Sequence, residues 1–118
     1  MTEPKTYTGG CHCKNVRYEV KATLDGIITC NCSICAMKGL LLTFVPRDAF
    51  KLLAGEDATQ DYQFHRKTIH HLFCKTCGVS SYAHGEGPNG PMTAINVRCL
   101  DDVDIGALAL KPFDGKSR

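Results

Sequence analysis

The chain has 118 residues, of which 43% are hydrophobic and 22% are charged, and its formal net charge at pH 7 is +2. These values are typical of a soluble globular protein, and residues 1–118 are expected to form a single domain. The small net charge and the scattered basic residues argue against a nucleic-acid partner. The longest apolar run, at residues 40–45, is far shorter than the roughly 18 residues of a membrane helix, so no membrane span is expected.

Most predicted elements are short strands separated by turn residues. Residues 15–21 show the pattern clearly: apolar and polar side chains alternate there, so Val16, Tyr18 and Val20 share one face of a strand. Similar signals recur with glycine and proline between them, and no helical period lasts three turns, which favours a mostly-β fold. The remaining elements are predicted as strands at residues 26–29, 40–45, 61–65, 68–74, 79–84 and 92–100, with one helical turn at residues 46–50.

The long connection in this pattern is the glycine- and proline-rich segment at residues 85–91. We expect it to be a surface connection within a hairpin and not a lid over an active site. Shorter turns are predicted at residues 55–57 and 101–102, where glycine and aspartate interrupt the strand signals.

The cysteine count is high for a chain without a secretory signature. The first ten residues, MTEPKTYTGG, contain no apolar run, so no conventional signal peptide is expected and the expected location is the cytoplasm. In that reducing compartment the eight cysteines of the chain do not indicate a disulfide framework. Metal binding therefore becomes the leading explanation for them.

Seven of the eight cysteines fall into three close groups, and this pattern carries the functional prediction. Cysteines two or three positions apart can reach one ion, and Zn²⁺ accepts thiolates at about 2.3 Å in a tetrahedral arrangement. A glycine directly after the last group suits a tight knuckle, because that turn needs a positive φ. The groups are Cys11-x-Cys13, Cys30-x-Cys32-x-x-Cys35 and Cys74-x-x-Cys77-Gly78.

Spacing alone leaves open which thiols share an ion. One division joins the first and last groups in a closed four-thiolate site and leaves the middle group with an open fourth position. The other division joins the two Cys-x-x-Cys pairs as two knuckles and leaves Cys11, Cys13 and Cys30 for the second ion.

Four segments of the chain occur in the order found in a known family: GGCHC at residues 9–13, CNCSIC at 30–35, FCKTCG at 73–78 and NVRCLD at 96–101. Together with Gly39 after the middle group, they resemble the glutathione-dependent formaldehyde-activating enzyme family, which also includes centromere protein V. The likeness extends over residues 9–102, nearly the whole chain. Linked motifs in a fixed order are far more specific than any one of them.

The resemblance implies the first division of the cysteines and two Zn²⁺ ions per chain. It also implies an Mss-four-like fold of stacked, bent antiparallel sheets with zinc knuckles and little helix. The ligands that it implies for a structural zinc are Cys11, Cys13, Cys74 and Cys77. Those that it implies for a second, catalytic-type zinc with an open position are Cys30, Cys32 and Cys35.

The activity that the resemblance implies is that of a carbon–sulfur lyase. Such an enzyme combines a thiol such as glutathione with a small aldehyde such as formaldehyde to give S-hydroxymethylglutathione. Three thiolates leave the zinc site with a net negative charge, so the ion should hold an incoming thiol as thiolate better than it activates water. The middle motif departs from the family at Asn31, where relatives often have histidine, and at Ala36 and Met37, which precede Lys38.

An alternative function is a non-catalytic, zinc-stabilised binding module, in which Cys99 or a histidine closes the second site. Cys99 lies in a strand pattern, where a small buried hydrophobe is the simpler interpretation. His12 stands between two ligands and is expected on the surface, whereas consecutive His70 and His71 should face opposite sides of a strand. His84, beside the glycine-rich segment, is the best candidate for acid–base work.

Overall fold

Ten strands and one short α-helix make up the fold over residues 4–63, 69–87 and 90–114, which are the residues that the computed structural model describes. The prediction of a mostly-β fold with little helix is confirmed. None of the helices in this part of the chain is long and apolar enough to cross a membrane. The elements are β1 (Lys5–Gly10), β2 (Arg17–Ala22), β3 (Ile27–Cys30), α1 (Ser33–Lys38), β4 (Leu41–Pro46), β5 (Phe50–Ala54), β6 (Thr59–Tyr62), β7 (His70–Cys74), β8 (Tyr82–Gly87), β9 (Gly90–Asn96) and β10 (Leu110–Phe113).

The strands form a small sheet, in the order β1-β2-β5, and a large sheet, in the order β10-β3-β4-β9-β8-β7-β6. Among the described residues, strand pairs are antiparallel except for β10 and β3, which run parallel. This pair is the exception to the antiparallel pattern of the described strands. The parallel pairing places Phe113 of β10 opposite Cys30 at the end of β3.

The main core lies between the small sheet and one face of the large sheet. The alternation predicted around β2 is confirmed, because Val16, Tyr18 and Val20 are each no more than 1% exposed. The ring of Tyr18 lies 5.8 Å from that of Tyr82 in the large sheet, and the ring of Phe50 lies 4.7 Å from Tyr82. Burial of each such side chain stabilises the fold by roughly 1.5–3 kcal/mol, so these contacts hold the two sheets together.

The large sheet uses its two faces differently. Ile27 of β3 and Ile95 of β9 are fully buried in the core. Because successive side chains on a strand point to opposite faces, their neighbours Ile28 and Ala94 face away from the core. Both of these residues line a cavity on the outer face of the sheet. The pleat thus divides the sheet into a packing face and a face that is available for a functional site.

Several predicted boundaries differ from those observed. The helical turn at residues 46–50 is confirmed as a 3-10 turn over Arg47–Ala49, but β5 follows it directly from Phe50. The strand predicted at 92–100 ends at Asn96, whose side chain accepts a hydrogen bond from the backbone N–H of Arg98 and starts another 3-10 turn. The strand predicted at 79–84 begins only at Tyr82. The Asn96 cap and the 3-10 turn after it thus end β9 earlier than the apolar pattern predicts.

The glycine-rich segment at residues 85–91 is mostly strand, which corrects its interpretation as a long connection. β8 continues to Gly87 and β9 begins at Gly90, so the two strands form a tight hairpin. Residues 88–89 lie outside the described residues, as do residues 64–65 and 68 of two other predicted strands.

Candidate metal centres

The first and last cysteine groups meet at one end of the fold. Cys11 and Cys13 follow β1, and Cys74 ends β7 with Cys77 in the turn beyond it. The four Sγ atoms all lie within 4.8 Å of one another. Two of the separations, Cys11 to Cys13 and Cys13 to Cys74, are 3.6 Å. A disulfide would need about 2.05 Å, whereas thiolates at about 2.3 Å from one tetrahedral ion stand about 3.8 Å apart.

Backbone N–H groups point at the sulfurs of this first group. Val16 N–H donates to Cys11 Sγ over 3.3 Å, and Thr76 N–H donates to Cys74 Sγ over 3.4 Å. Gly78 has the positive φ, 79°, that the knuckle requires. Hydrogen bonds from the backbone of Val79 and then of Cys13 lower the pKa of the Cys77 thiol to about 6. These hydrogen bonds therefore favour the thiolate form of Cys77, which is the protonation state that a metal ion binds.

The middle cysteines form a second group where β3 runs into α1. The Sγ atoms of Cys30, Cys32 and Cys35 also lie within 4.8 Å of one another. Cys32 N–H donates to Cys30 Sγ over 3.5 Å, and Cys35 is buried. Burial opposes ionisation of Cys32, but hydrogen bonds that include the backbone N–H of Cys35 outweigh it and lower the pKa of the Cys32 thiol. The three sulfurs thus lie close enough together to hold one metal ion.

Each of the seven cysteines falls into the group that the resemblance implies. The alternative pairing of Cys32 and Cys35 with Cys74 and Cys77 does not occur among the residues described. Cys99 joins neither group there: its partly buried thiol lies 3.8 Å from the Ser80 carbonyl oxygen.

The helix that carries Cys35 was not predicted, and it brings a further residue to the site. α1 has only six residues and ends at Gly39, whose φ of 65° and N–H bond to the Cys35 carbonyl make a left-handed cap. A lysine in the last turn followed by glycine is a sequence signal for such an end. Lys38, one turn beyond Cys35, donates from Nζ to Ser80 Oγ over 2.6 Å. Its Nζ also lies 5.5 Å from the centre of the Phe73 ring.

The middle group lines a cavity of about 560 Å³ on the outer face of the large sheet. Pairing between strands builds its floor in one row, because Phe44 faces Ala94, Ala94 faces Ala83 and Ala83 faces His71. The two alanines leave room where larger side chains would fill the space. The polar groups of the wall include Ser33, Lys38, His71, Ser80 and Asn96.

Asn31 fixes the loop between two sulfurs of the middle group. Its backbone N–H donates to the Phe113 carbonyl over 3.2 Å, and its side-chain amide donates to Asp114 Oδ1 over 3.0 Å. The last described strand therefore positions the loop that carries Cys30 and Cys32. An asparagine suits these contacts because one amide supplies donors to the far end of the chain.

His70 and His71 face opposite sides of their strand as predicted, whereas His84 lies outside the described lining of the cavity. His70 bonds through Nδ1 to Asp61 Oδ2 over 2.6 Å, while His71 lines the cavity, so the two face opposite sides. His84 is absent from the described cavity lining. Its Nδ1 lies 2.9 Å from Thr93 Oγ1, and burial, followed by the charge of Arg47, lowers the pKa of His84 to about 4. An acid–base role for His84 stays a prediction.

This arrangement defines a small β protein with two cysteine centres able to hold metal ions, one of them lining a cavity. A comparison with protein families matches residues 6–113 to the glutathione-dependent formaldehyde-activating enzyme family, and the chain belongs to that family. A crystal structure of a Rhodobacter sphaeroides protein is similar over 89% of this chain and 97% of the other. The sequence identity is 28% and the TM-score is 0.78.

Proposed function

We propose that this protein is a zinc-dependent carbon–sulfur lyase that adds a thiol to a small aldehyde and reverses that addition. The observation that carries the proposal is the placement of Cys30, Cys32 and Cys35 together on the wall of a cavity large enough for a small-molecule substrate. Family membership supports glutathione and formaldehyde as first substrates to test. A reducing cytoplasmic compartment suits a protein that depends on free thiols.

The two cysteine groups are proposed to hold one Zn²⁺ ion each. The first, with four converging sulfurs, fits a closed structural site, and its 3.6 Å separations suit a tetrahedral set of thiolates. The second, with three sulfurs, would leave one position for an exogenous ligand. When bound there, zinc would lower the pKa of a substrate thiol and so supply a thiolate at neutral pH.

The reaction conserves atoms and electrons without a redox partner. The sulfur of the thiol attacks the carbonyl carbon, and a C–S bond forms as the C=O π bond breaks. The electron pair moves to the carbonyl oxygen, which takes the proton that the thiol releases. His71 lines the cavity, and burial, followed by the charge of Lys38, lowers the pKa of His71, so a neutral imidazole is available to carry this proton.

The test combines metal counting with a thiol-addition assay. Native mass spectrometry during stepwise thiol modification should find two zinc ions per chain, one of them released early and protected by glutathione. ¹³C-formaldehyde NMR should show S-hydroxymethylglutathione exchange accelerated by the zinc-loaded protein and by a Cys99→Ser control, but not by Cys32→Ser. Two equally inert ions together with no acceleration would instead favour the non-catalytic binding module.

A closed second site with Cys99 as fourth ligand has less support. Cys99 lies outside the sulfur group, and its thiol lies 3.8 Å from the Ser80 carbonyl oxygen.

A further inference from the structure

We propose that the cavity beside the middle cysteines selects a substrate with an apolar body and a single anionic group, such as a medium-chain mercaptocarboxylic acid, over a multiply charged peptide thiol. This inference deepens the proposed function and rests on it for the thiol end of the substrate. For the rest of the substrate, the inference rests on the chemistry of the cavity wall.

The floor of the cavity and most of its sides are apolar. Ala83 and Ala94 form the floor, and Ile28 and Leu42, which pair across β3 and β4, continue the same surface. Glutathione carries two carboxylates and an ammonium group at neutral pH, and each needs water or a partner. Taking such charges into an apolar wall without partners is costly. An alkyl or aryl group gains free energy in the same place, at roughly 0.8 kcal/mol for each buried CH₂, or about fourfold in affinity.

The rim of the cavity is apolar as well. The side chains of Phe44, Ile69 and Phe113 all line the cavity and are 49%, 48% and 36% exposed. They come from three separate strands or loops, so the exposed apolar surface extends around the opening. An apolar substrate would cover these side chains, which a small, strongly hydrated aldehyde would leave in water.

Apart from the cysteine group, charged side chains in the described wall are restricted to one place. Among the described residues that line the cavity, Lys38 is the one lysine or arginine, and no aspartate or glutamate occurs. An ammonium group has three donors, and Ser80 Oγ accepts one of them at 2.6 Å. That bond and the nearby Phe73 ring hold Nζ against the wall. The remaining donors match one carboxylate, and the described part of the wall offers no second lysine or arginine for another.

Calorimetric titration of the zinc-loaded protein with four probes tests the inference. The probes are glutathione, 8-mercaptooctanoate, the uncharged 8-mercaptooctanol and the thiol-free octanoate. We expect 8-mercaptooctanoate to bind at least roughly tenfold more tightly than glutathione and roughly tenfold more tightly than 8-mercaptooctanol. Equal or tighter binding of glutathione would overturn the inference and leave the proposed function standing. If octanoate binds as tightly as 8-mercaptooctanoate, the cavity preference stands and the thiol-holding role fails.

Two matched pairs of variants locate the effect. Ala94→Phe should fill the cavity and weaken octanoate binding at least roughly tenfold, whereas Leu53→Phe, on the exposed side of β5, should not. Lys38→Gln should remove the preference for 8-mercaptooctanoate over 8-mercaptooctanol, and Lys51→Gln in β5 should keep it. Should Ala94→Phe not fold, Phe44→Ser at the exposed rim replaces it, with an expected loss of roughly tenfold. Unchanged octanoate binding in the folded cavity variant, or an unchanged preference in Lys38→Gln, would overturn the inference.

Discussion

Asn31 and Asp114 are joined by a 3.0 Å hydrogen bond between side chains that stand 83 positions apart in the chain. A second bond, from Asn31 N–H to the Phe113 carbonyl, runs beside it. The loop between two neighbouring cysteines is therefore held by residues from the other end of the domain. The family motif often has histidine at this position. In this chain Asn31 makes both hydrogen bonds to the segment at residues 113–114.

Replacement of Asn31 tests what this contact does for the second centre. We expect Asn31→Ala to speed the release of one metal ion to a chelating dye by roughly tenfold, because residues that orient ligands change metal affinity by that order. Asn15→Ala is the matched control, since Asn15 Nδ2 bonds to Thr76 Oγ1 beside the other cysteine group. If Asn31→Ala released both ions at wild-type rates, the side-chain bond to Asp114 would have no part in holding the site.

Loss of one sulfur from the four-cysteine group should damage the fold itself. Cys74 is buried and ends a strand of the large sheet, so Cys74→Ser is expected to lower the free energy of unfolding by more than about 4 kcal/mol. Chemical denaturation with parallel metal analysis measures both effects. Cys99→Ser should keep the full metal content. A Cys74→Ser protein of wild-type stability would show that this group is not a structural centre.

Loss of one sulfur from the three-cysteine group should have a different outcome. Cys32→Ser is expected to lose one metal ion and thiol-dependent turnover while the sheets stay folded, because the group lies outside the main core. Far-ultraviolet circular dichroism and metal analysis check this, with Ser33→Ala as the neighbouring control. Global unfolding of Cys32→Ser would contradict the assignment of separate roles to the two groups.

The core between the sheets should respond to small changes in volume. Ile95 is fully buried in β9, so Ile95→Val should lower the free energy of unfolding by about 1 kcal/mol. In a domain of this size that loss corresponds to a decrease of roughly 4–5 °C in Tm. Leu53→Ala, at a half-exposed position, should change stability by less than about 0.5 kcal/mol. A larger loss for Leu53→Ala than for Ile95→Val would contradict the placement of the core.

His84 should make the fold sensitive to acid. Burial, and then Arg47, lowers its pKa to about 4, below the value of about 6.5 expected in the unfolded chain. Stability from this group is therefore complete above about pH 6.5 and is lost as the pH falls toward 4. In urea denaturation between pH 7 and pH 4.5, His84→Gln should lose less stability than the wild type, by an amount on the order of 1 kcal/mol after solvent screening. Parallel curves for the two proteins would contradict this.

Each short cysteine motif was predictable from sequence because its spacing is local, and the resemblance indicated which motifs share a site. The cavity was not predictable. The floor arises from the pairing of Ala83 with Ala94 across two strands, and register between strands is not visible in either strand alone. Lys38 was missed because six helical residues are too few for a periodic signal. β10 was missed because all four of its residues are exposed and show no alternation.

The mobility expected at His84 and the long connection expected at residues 85–91 rest on the same glycine and proline signal. Glycine and proline indicated a flexible connection, but two of the glycines continue β8, and Gly90 begins β9 with a φ of 118°. The hairpin is therefore paired strand almost to its tip. His84 consequently lies in a paired strand, where its ring packs against that of Phe50 at 5.5 Å.

The parallel pairing of β10 with β3 also bears on the order in which the protein matures during synthesis. The four-cysteine group takes its sulfurs from residues up to Cys77 and its knuckle contacts from Gly78 and Val79, so a nascent chain can assemble it before β10 leaves the ribosome. The three-cysteine group lies within six residues, yet Phe113 supplies part of its cavity wall and anchors its loop. The three-cysteine group, although more local in sequence, is thus the later one to be completed. Incompletely translated chains would have the four-cysteine group without the finished cavity.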